Sequence, residues 1–513
     1  MSKSSMGRPL ALASVSVIVA MALALTGCQS AVDAEPSEPD QPVSGGTLTI
    51  AQATDIQPNN LLATRLGNSG WAANVFETVT AYDANGEPAP LLATDWTVAD
   101  DGLAITLSLR DDVTFHTGRT MTAEDVKFSF EYLIQSPSQV AFIGDTFAGI
   151  EVLSETELRI DFTAPTPTIF DFFEYAFILD SETIDGVAEG SEIIGTGPFL
   201  FESWAPGSSV SLVRNDEYWG EPAHLDGIEI AIISDSTAML NAVRSNRSQA
   251  AIGMSPIDIQ SFSSNPDFEV IRTSGSVYPL GIDVTQPPFD QKAARQAVHY
   301  AIDRERIAAQ IFGDAGVVSP LFWEATTPGF PEDLVDHYTY DPEKAQQMLA
   351  DAGAAGAELT ISVISLPQTT SVAEIVRNNL EAVGLKPTIN VVENQTFGQN
   401  QIAGDLGPAF IPVHGLSGLS PISLLSTLPS LRQGNPSKYW SAEYEDARAA
   451  LATAAPGQEY ADALHDLSVL ILDEAFTSVV VQAVGQTVIT TDAIDAGWTR
   501  RGYLDAKSMY LNQ

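Results

Sequence analysis

Cys28 is the residue with the most specific chemistry, because it is the only cysteine of the 513-residue chain and it ends the run Leu25-Thr26-Gly27-Cys28. A cysteine thiol directly after an apolar segment and small residues is typical of an acceptor for a diacylglyceryl thioether. Two acyl chains hold a protein at a membrane face far more firmly than one chain does. We therefore predict lipid attachment at Cys28. An ordinary cleaved signal followed by a chance cysteine is the alternative.

The segment before Cys28 has the layout of an export signal. Lys3 and Arg8 lie in the first nine residues, which contain no acid. The apolar stretch that follows, from Leu10 to Leu25, is shorter than the ~20 residues of a membrane span. We therefore predict a signal peptide at residues 1–27. The mature chain is expected on the outer face of the cytoplasmic membrane, in a periplasm or at a cell surface.

Sequence motifs of common enzymes are absent from the chain. It contains no Gly-x-x-x-x-Gly-Lys-Ser/Thr phosphate loop, no His-Glu-x-x-His zinc motif and no Gly-x-Ser-x-Gly nucleophile elbow. Its six histidines, at positions 116, 224, 299, 337, 414 and 465, show no metal-ligand spacing. We therefore predict neither a metal nor a cofactor, and a surface hydrolase of peptides or glycans is kept as a minor hypothesis.

The charge balance excludes several classes of partner. The chain has 66 acidic and 24 basic residues, which give a net charge of −42. A field of that sign repels nucleic-acid backbones and anionic lipid surfaces, and it favours a soluble monomer. The acids are scattered along the chain, which is typical of a solvated surface. We therefore expect a monomer that is tethered through its lipid and has no nucleic-acid partner.

The segments that must position any site alternate between strands and capped helices, as in mixed α/β proteins. Residues 28–44 are rich in Pro, Ser and acids, which predicts a disordered linker. Helix starts are indicated by a capping box with Asp in place of Glu at Thr122-Ala-Glu-Asp125, by Asp290, and by Asp341-Pro342. The run Gly195-Thr-Gly-Pro198 indicates a crossing between lobes, at which the backbone takes unusual dihedral angles.

A series of ordered blocks carries a resemblance to one family through nearly the whole mature chain. The blocks are Gly45-Gly-Thr-Leu48, Leu91-Leu-Ala-Thr-Asp-Trp96, Leu107-Ser-Leu-Arg-Asp-Asp-Val-Thr-Phe-His116, Thr122-Ala-Glu-Asp-Val-Lys-Phe-Ser-Phe130, Gly195-Thr-Gly-Pro-Phe199, Arg214-Asn-Asp-Glu-Tyr-Trp-Gly220, Pro287-Pro-Phe-Asp290 with Ala301-Ile-Asp-Arg304, and Tyr340-Asp-Pro-Glu-Lys-Ala345. In these blocks the chain resembles family 5 of the extracellular solute-binding proteins, the oligopeptide, dipeptide and nickel receptors of ABC importers. The resemblance implies an α/β, periplasmic-binding-protein-like type II fold, with three lobes and a hinged ligand cleft.

The resemblance also implies where the lobes begin and end. The first lobe would be discontinuous and built from residues 45–78, 195–274 and 484–513. Residues 79–194 would form the second lobe, and residues 275–483 the third.

The function implied by the resemblance is that of a substrate-binding lipoprotein and not of an enzyme. Such a protein captures a peptide or peptide-like solute and delivers it to the ABC permease of the same importer for uptake. A receptor for an oligosaccharide or another uncharged solute is the alternative, and a surface hydrolase is a remote one.

In such receptors the ligand lies between the first and third lobes. Carried over position by position, the resemblance places these residues in the lining of the cleft: Leu66, Gly67, Asn68, Tyr278, Asn394, Phe397, His414, Ser417 and Gln482. Plain loop or core packing is the alternative for each of them.

One loop departs from the family. Peptide-binding relatives carry a loop of the type Asp-x-x-Asp-Pro, whose first aspartate pairs with the α-ammonium group of the ligand. This chain has Ser417-Gly-Leu-Ser-Pro421 instead. A free amino terminus would then be buried without its usual partner, unless another acid reaches in. A blocked or cyclic peptide, a sugar or another uncharged solute is therefore compatible with the site.

Overall fold

Alternating apolar residues and capped helices build a mixed α/β fold in residues 43–63, 65, 67–83 and 86–512, the part of the chain that the computed structural model describes. Its strands are β1 (Thr47–Gln52), β2 (Thr80–Tyr82), β3 (Pro88–Pro90), β4 (Ala93–Val98), β5 (Ala104–Leu109), β6 (Phe147–Ser154), β7 (Glu157–Phe162), β8 (Phe199–Ala205), β9 (Ser209–Arg214), β10 (Gly227–Ile232), β11 (Ala250–Ile252), β12 (Phe268–Ile282), β13 (Gly316–Val317), β14 (Glu358–Ile364), β15 (Lys386–Val392), β16 (Ala409–Ile411), β17 (His414–Gly415), β18 (Thr477–Thr490), β19 (Ala493–Ile494), β20 (Gly497–Trp498), β21 (Leu504–Asp505) and β22 (Tyr510–Leu511).

Helices cover the sheets and connect many of the strands. They are α1 (Ala72–Val75), α2 (Ala123–Gln135), α3 (Ile169–Tyr175), α4 (Ile184–Glu189), α5 (Ser236–Arg244), α6 (Pro256–Gln260), α7 (Lys292–Tyr300), α8 (Arg304–Ile307), α9 (Pro342–Asp351), α10 (Pro367–Ala382), α11 (Asn394–Ile402), α12 (Pro421–Thr427), α13 (Ala442–Thr453) and α14 (Gln458–Glu474).

Most strands belong to one large mixed sheet. Its order is β15-β14-β16-β12-β18-β11-β1-β10-β9-β8, with β13 beside β18 and β17 beside β12. β1 runs parallel to β10 and β11, and β14 runs parallel to β15 and β16. β12 and β18 are antiparallel to each other and stand between these two groups. The central pair therefore joins two partly parallel halves of the sheet.

A separate antiparallel sheet, β4-β5-β7-β6, lies within residues 93–162. Helix α2 packs against it through a fully buried stripe that includes Val126, Phe130 and Leu133. The ring of Phe130 stacks on that of Phe173 in α3, with 5.3 Å between centroids. This sheet falls inside the segment predicted as the second lobe, although the lobe boundaries themselves stay a prediction.

Two helices begin at the caps that the sequence indicates. The backbone N–H of Thr122 donates to the carboxylate of Asp125 at 3.0 Å, as in a capping box. Asp341 accepts the backbone N–H of Lys344 at 2.9 Å, and proline follows as the first residue of α9. Local side-chain chemistry therefore sets both helix starts.

The predicted cap at Asp290 is wrong. Gln291 precedes the first residue of α7, and its side chain makes no capping hydrogen bond. Asp290 instead closes the preceding turn, where its backbone N–H donates to the carbonyl of Gln286 at 3.0 Å. The helix is held by its packed face, of which Ala294 and Val298 are fully buried.

Gly195 and Gly197 are needed for close packing, and the predicted reason, unusual dihedral angles, is wrong. Neither residue has a positive φ. A Cβ on Gly195 would lie 2.0 Å from the carbonyl oxygen of Val75, and one on Gly197 would lie 2.6 Å from that of Asn74. The chain crosses the backbone of α1 so closely here that a side chain has no room.

The carboxylate of Glu77 links this segment, through Thr196, to Tyr218 and Trp219. It accepts hydrogen bonds from the hydroxyl of Thr196 at 2.9 Å, the hydroxyl of Tyr218 at 2.6 Å and the indole N–H of Trp219 at 2.9 Å. Burial raises the pKa of Glu77, while these three donors act to lower it. The three donors satisfy the hydrogen-bonding capacity of this buried carboxyl group, as buried polar groups require.

We predict that Gly195→Ala lowers the free energy of unfolding by about 1–3 kcal/mol, because the new methyl group overpacks against the Val75 backbone. Thermal unfolding followed by circular dichroism measures the effect. Gly149→Ala is the matched control, since Gly149 lacks a positive φ and an added Cβ would meet nothing within 4 Å. Equal loss of stability in both variants would contradict the packing argument.

Candidate functional site

Three of the residues predicted for the ligand cleft lie together on the central strand pair. Val277 in β12 is in register with both His414 in β17 and Gln482 in β18, and Tyr278 is the next residue of β12. The amide of Gln482 donates to the carbonyls of Leu321 and Trp323, each at 2.9 Å. The structure therefore brings Tyr278, His414 and Gln482 to one place, while Gln482 holds a neighbouring loop.

Tyr278 and His414 are both buried. The ring of Tyr278 packs on Phe312 with 5.0 Å between centroids. The Nε2 atom of His414 lies 2.8 Å from the hydroxyl oxygen of Ser430. Burial lowers the pKa of His414 to about 4, so the imidazole is neutral at neutral pH.

The loop at Ser417 is anchored to an irregular part of β12. The register of β12 against β18 shifts between Thr273 and Ser276. Within this shift the hydroxyl of Ser274 accepts the N–H of Gly418 at 2.9 Å, and the N–H of Gly275 donates to the carboxylate of Glu324 at 3.2 Å. A β-bulge that redirects backbone groups is typical of strands beside functional sites.

Ser417 itself has a φ of +53° and is partly exposed. Its carbonyl oxygen lies 3.3 Å from the hydroxyl of Tyr175 in α3. The loop therefore contacts both the central strands and the segment that carries α3.

Two arginines that the sequence analysis did not select also belong to this region. Arg501 is 4% exposed, and its guanidinium lies 3.6 Å from the ring centroid of Tyr175. It donates to the carbonyl of Glu174 at 3.1 Å and to the hydroxyl of Tyr503 at 3.2 Å. A guanidinium over an aromatic face is attracted electrostatically by the ring.

Arg65 lies beside Arg501 and donates to the carbonyl of Gly502 at 3.3 Å. Burial lowers the pKa of Arg65, and Arg501 lowers it further, while Tyr503, Tyr175 and Glu324 act to raise it. In the described residues neither arginine forms an ion pair. Adjacent arginines at 500 and 501 in a chain with so few basic residues were a signal that could have drawn attention to this turn.

Asp171, a buried acid in α3, binds the same loop at Ser420. It is 1% exposed and accepts the hydroxyl of Tyr82 at 2.8 Å and the backbone N–H of Ser420 at 3.1 Å. It also accepts the hydroxyls of Ser420 and Ser423. With four donors already in place, this carboxylate is not available to an ammonium group of a ligand.

The remaining predicted residues are elsewhere or have structural partners. Asn68 is fully buried, and its Oδ1 accepts the N–H of Gln57 at 2.9 Å and the indole N–H of Trp71 at 3.1 Å. Gly67 has a φ of +80°, and its carbonyl accepts the amide of Gln52 at 2.8 Å. Leu66 and Cys28 lie outside the described residues.

Asn394 and Phe397 are not brought to the group around Tyr278. Both follow the edge strand β15, which β14 and β16 separate from β12. Asn394 is exposed at the start of α11, whereas Phe397 is buried in a small cluster with Leu406 and Phe410.

Two further features of the described residues bear on the class of protein. No group of His, Cys, Asp and Glu side chains among them is arranged to hold a metal ion. In the same part of the chain, no helix has both the length and the apolar character to cross a membrane.

Comparisons with known proteins identify the family. The profile of bacterial extracellular solute-binding proteins, family 5 Middle, matches residues 87–433. The chain is 24% identical over 399 residues to heme-binding protein A of Haemophilus influenzae, which covers 69% of this chain and 72% of that protein. It is 26% identical over 420 residues to di/tripeptide-binding protein 1 of Pseudomonas aeruginosa, which covers 73% of this chain and 77% of that protein.

A solved structure shows the same fold. HbpA2 from Haemophilus parasuis superposes with a TM-score of 0.81 and 20% sequence identity, over 91% of this chain and 100% of that chain. The expected periplasmic-binding-protein-like α/β fold is thereby confirmed. Since the family profile also spans more than half of the sequence, this chain belongs to family 5 of the bacterial extracellular solute-binding proteins.

Proposed function

We propose that this chain is the substrate-binding protein of an ABC importer, which captures a peptide or peptide-like solute outside the cytoplasm and delivers it to the permease. The family match over residues 87–433 carries this proposal. The similarity to a di/tripeptide-binding protein supports the peptide class of solute. A receptor for an oligosaccharide or another uncharged solute is the second candidate, because Ser417 stands where peptide-binding relatives are expected to have an aspartate.

The geometry of the site supports binding rather than catalysis. Among the described residues, the contact that comes nearest to a nucleophile and its base is the one between His414 and Ser430 at 2.8 Å. Ser430 is fully buried, so a scissile carbonyl cannot reach its hydroxyl, and burial disfavours the protonated form of His414. A surface hydrolase is therefore disfavoured.

In this proposal the first lobe closes on the third and thereby captures the solute. The first lobe comprises residues 45–78, 195–274 and 484–513, and the third comprises residues 275–483. The strands of the large sheet that cross from one segment to the other are β12 and β18. A solute that contacts both lobes stabilises the closed state by its differential contacts.

We predict that a solute added to the purified protein reduces its radius of gyration and is recovered unchanged. A tripeptide library is incubated with the protein, bound species are identified by mass spectrometry, and small-angle scattering is recorded at saturation. Denatured protein is the control for non-specific retention. Cleaved peptides would favour the hydrolase, and an unchanged radius with intact bound peptide would contradict lobe closure.

We predict that Ser417→Asp strengthens binding of free-amine tripeptides about ten-fold or more, because a charge-assisted bond to the ammonium is restored. The φ of Ser417 is one that Asp and Asn tolerate, so the fold should accept the change. Ser417→Asn is the matched uncharged control. If N-acetylated peptides or sugars are the true ligands, the aspartate should instead weaken their binding. No effect on either class would show that Ser417 does not line the cleft.

For the membrane anchor, which we propose at Cys28, the test is Cys28→Ala. The variant should leave the membrane fraction, or accumulate as a precursor that retains residues 1–27, because the acyl acceptor is gone. Fractionation followed by intact-mass measurement reports both outcomes, and Ser30→Ala serves as the control. A Cys28→Ala protein that stays in the membrane fraction at mature size would refute the anchor.

A further inference from the structure

A cavity of about 350 Å³ opens beside His414, between residues 138–142 and residues 413–432. One wall is the turn that follows α2, with Ser138, Gln139 and Phe142. The other wall is β17 and the end of α12, up to Arg432. The cavity is therefore formed by two segments that lie far apart in the sequence, and it adjoins the loop at Ser417.

The cavity presents hydrogen-bond donors that the fold itself does not use. The guanidinium of Arg432 has no hydrogen bond or ion pair with any other described residue. The side-chain oxygen of Gln139 lies 3.2 Å from the hydroxyl of Tyr175, which leaves its NH₂ group for the cavity. The hydroxyl of Ser138 accepts the N–H of Val140 at 3.5 Å and keeps its own proton free to donate.

Arg448 shows what a structural arginine in this region looks like. Its guanidinium donates to the carbonyls of Leu425 and Leu431, at 2.8 and 3.1 Å, and lies over the ring of Trp440. Arg432 has none of these contacts, so a packing role does not account for it.

The charge of the lining is opposite to that of the whole protein. The chain has 66 acids against 24 basic residues, yet no Asp or Glu among the described residues lines this cavity, and Arg432 is its charged group. Burial lowers the pKa of the His414 imidazole to about 4, so it adds no charge at neutral pH. An anion that enters the cavity thus meets donors and one positive charge, with no carboxylate in the wall to repel it.

We propose that this cavity receives a carboxylate of the bound solute, held by the guanidinium of Arg432 with the amide of Gln139 and the hydroxyl of Ser138 as further donors. Guanidinium groups bind carboxylates through paired hydrogen bonds of matching geometry. The proposal rests on the proposed function and narrows it to peptide-like solutes that carry an acidic group. Both an acidic side chain and a free C-terminus supply this chemistry.

Calorimetry with matched peptide libraries tests the proposal and separates the two sources. One pair of C-terminally amidated tripeptide libraries contains Glu in the first and Gln in the second. Another pair differs only in a free or an amidated C-terminus. Each is titrated into the unmodified protein, Arg432→Gln, Arg432→Lys and Arg377→Gln. The last variant removes the charge of the partly exposed Arg377 in α10, which pairs with Glu374 at 2.6 Å, and it controls for net charge.

The unmodified protein should prefer the carboxylate member of one pair by about ten-fold, the typical size of a charge-assisted hydrogen bond. Arg432→Gln should abolish that preference, Arg432→Lys should keep part of it, and Arg377→Gln should leave it intact. The proposal is overturned if Arg432→Gln keeps the preference, or if both members of each pair bind equally to the unmodified protein. In those cases the binding function stands, whereas failure of all four libraries to bind would overturn this proposal together with the peptide class of solute.

Discussion

The pairing of β12 with β18 is the constraint on which the rest of the structure depends. These strands run from Phe268 to Ile282 and from Thr477 to Thr490, and they are paired along most of that length. At the register shift between these strands the two backbones approach so closely that a Cβ on Gly275 would lie 2.0 Å from the carbonyl oxygen of Ala483. The register shift at the same point turns the N–H of Gly275 and the hydroxyl of Ser274 away from the ladder. The polar groups that hold the Ser417 loop are thus a direct product of an irregular strand pair.

Several arginines of this acidic chain are buried. Arg295, Arg304 and Arg501 are all buried, and their guanidinium groups donate to backbone carbonyls. Carbonyl oxygens satisfy the donors of a guanidinium without adding a second buried charge, and its delocalised charge tolerates burial better than an ammonium does. Burial lowers the pKa of Arg304 to about 10, so it remains charged at neutral pH. These three arginines therefore join internal segments of the fold through backbone carbonyls.

Local signals in the sequence were sufficient for much of the fold and for part of the site. The caps of α2 and α9 depend on residues three apart in sequence, and the family resemblance selected Tyr278, His414 and Gln482, which the structure places on neighbouring strands. Asp171 and Arg501 were missed because their partners are remote: Asp171 bonds Ser420, 249 positions away, and Arg501 bonds the carbonyl of Glu174, 327 positions away. Asn394 and Phe397 were selected by loop position alone, and their place in the cleft stays a prediction. The glycines at 195 and 197 were recognised as special, yet only the approach of α1 shows why.

The distribution of carboxylates around the Ser417 loop bears on the chemistry of the solute. Asp171 is occupied by four donors from Tyr82, Ser420 and Ser423. Glu324 already accepts the N–H of Gly275 and interacts with the charge of Arg65. An ammonium group entering here would compete with an arginine for one carboxylate, and desolvating it would cost several kcal/mol without a dedicated partner. An anionic group meets the opposite situation at Arg432, which has no ion-pair partner among the described residues and lines a cavity without a carboxylate. This distribution supports the proposed recognition of the solute through a negative group.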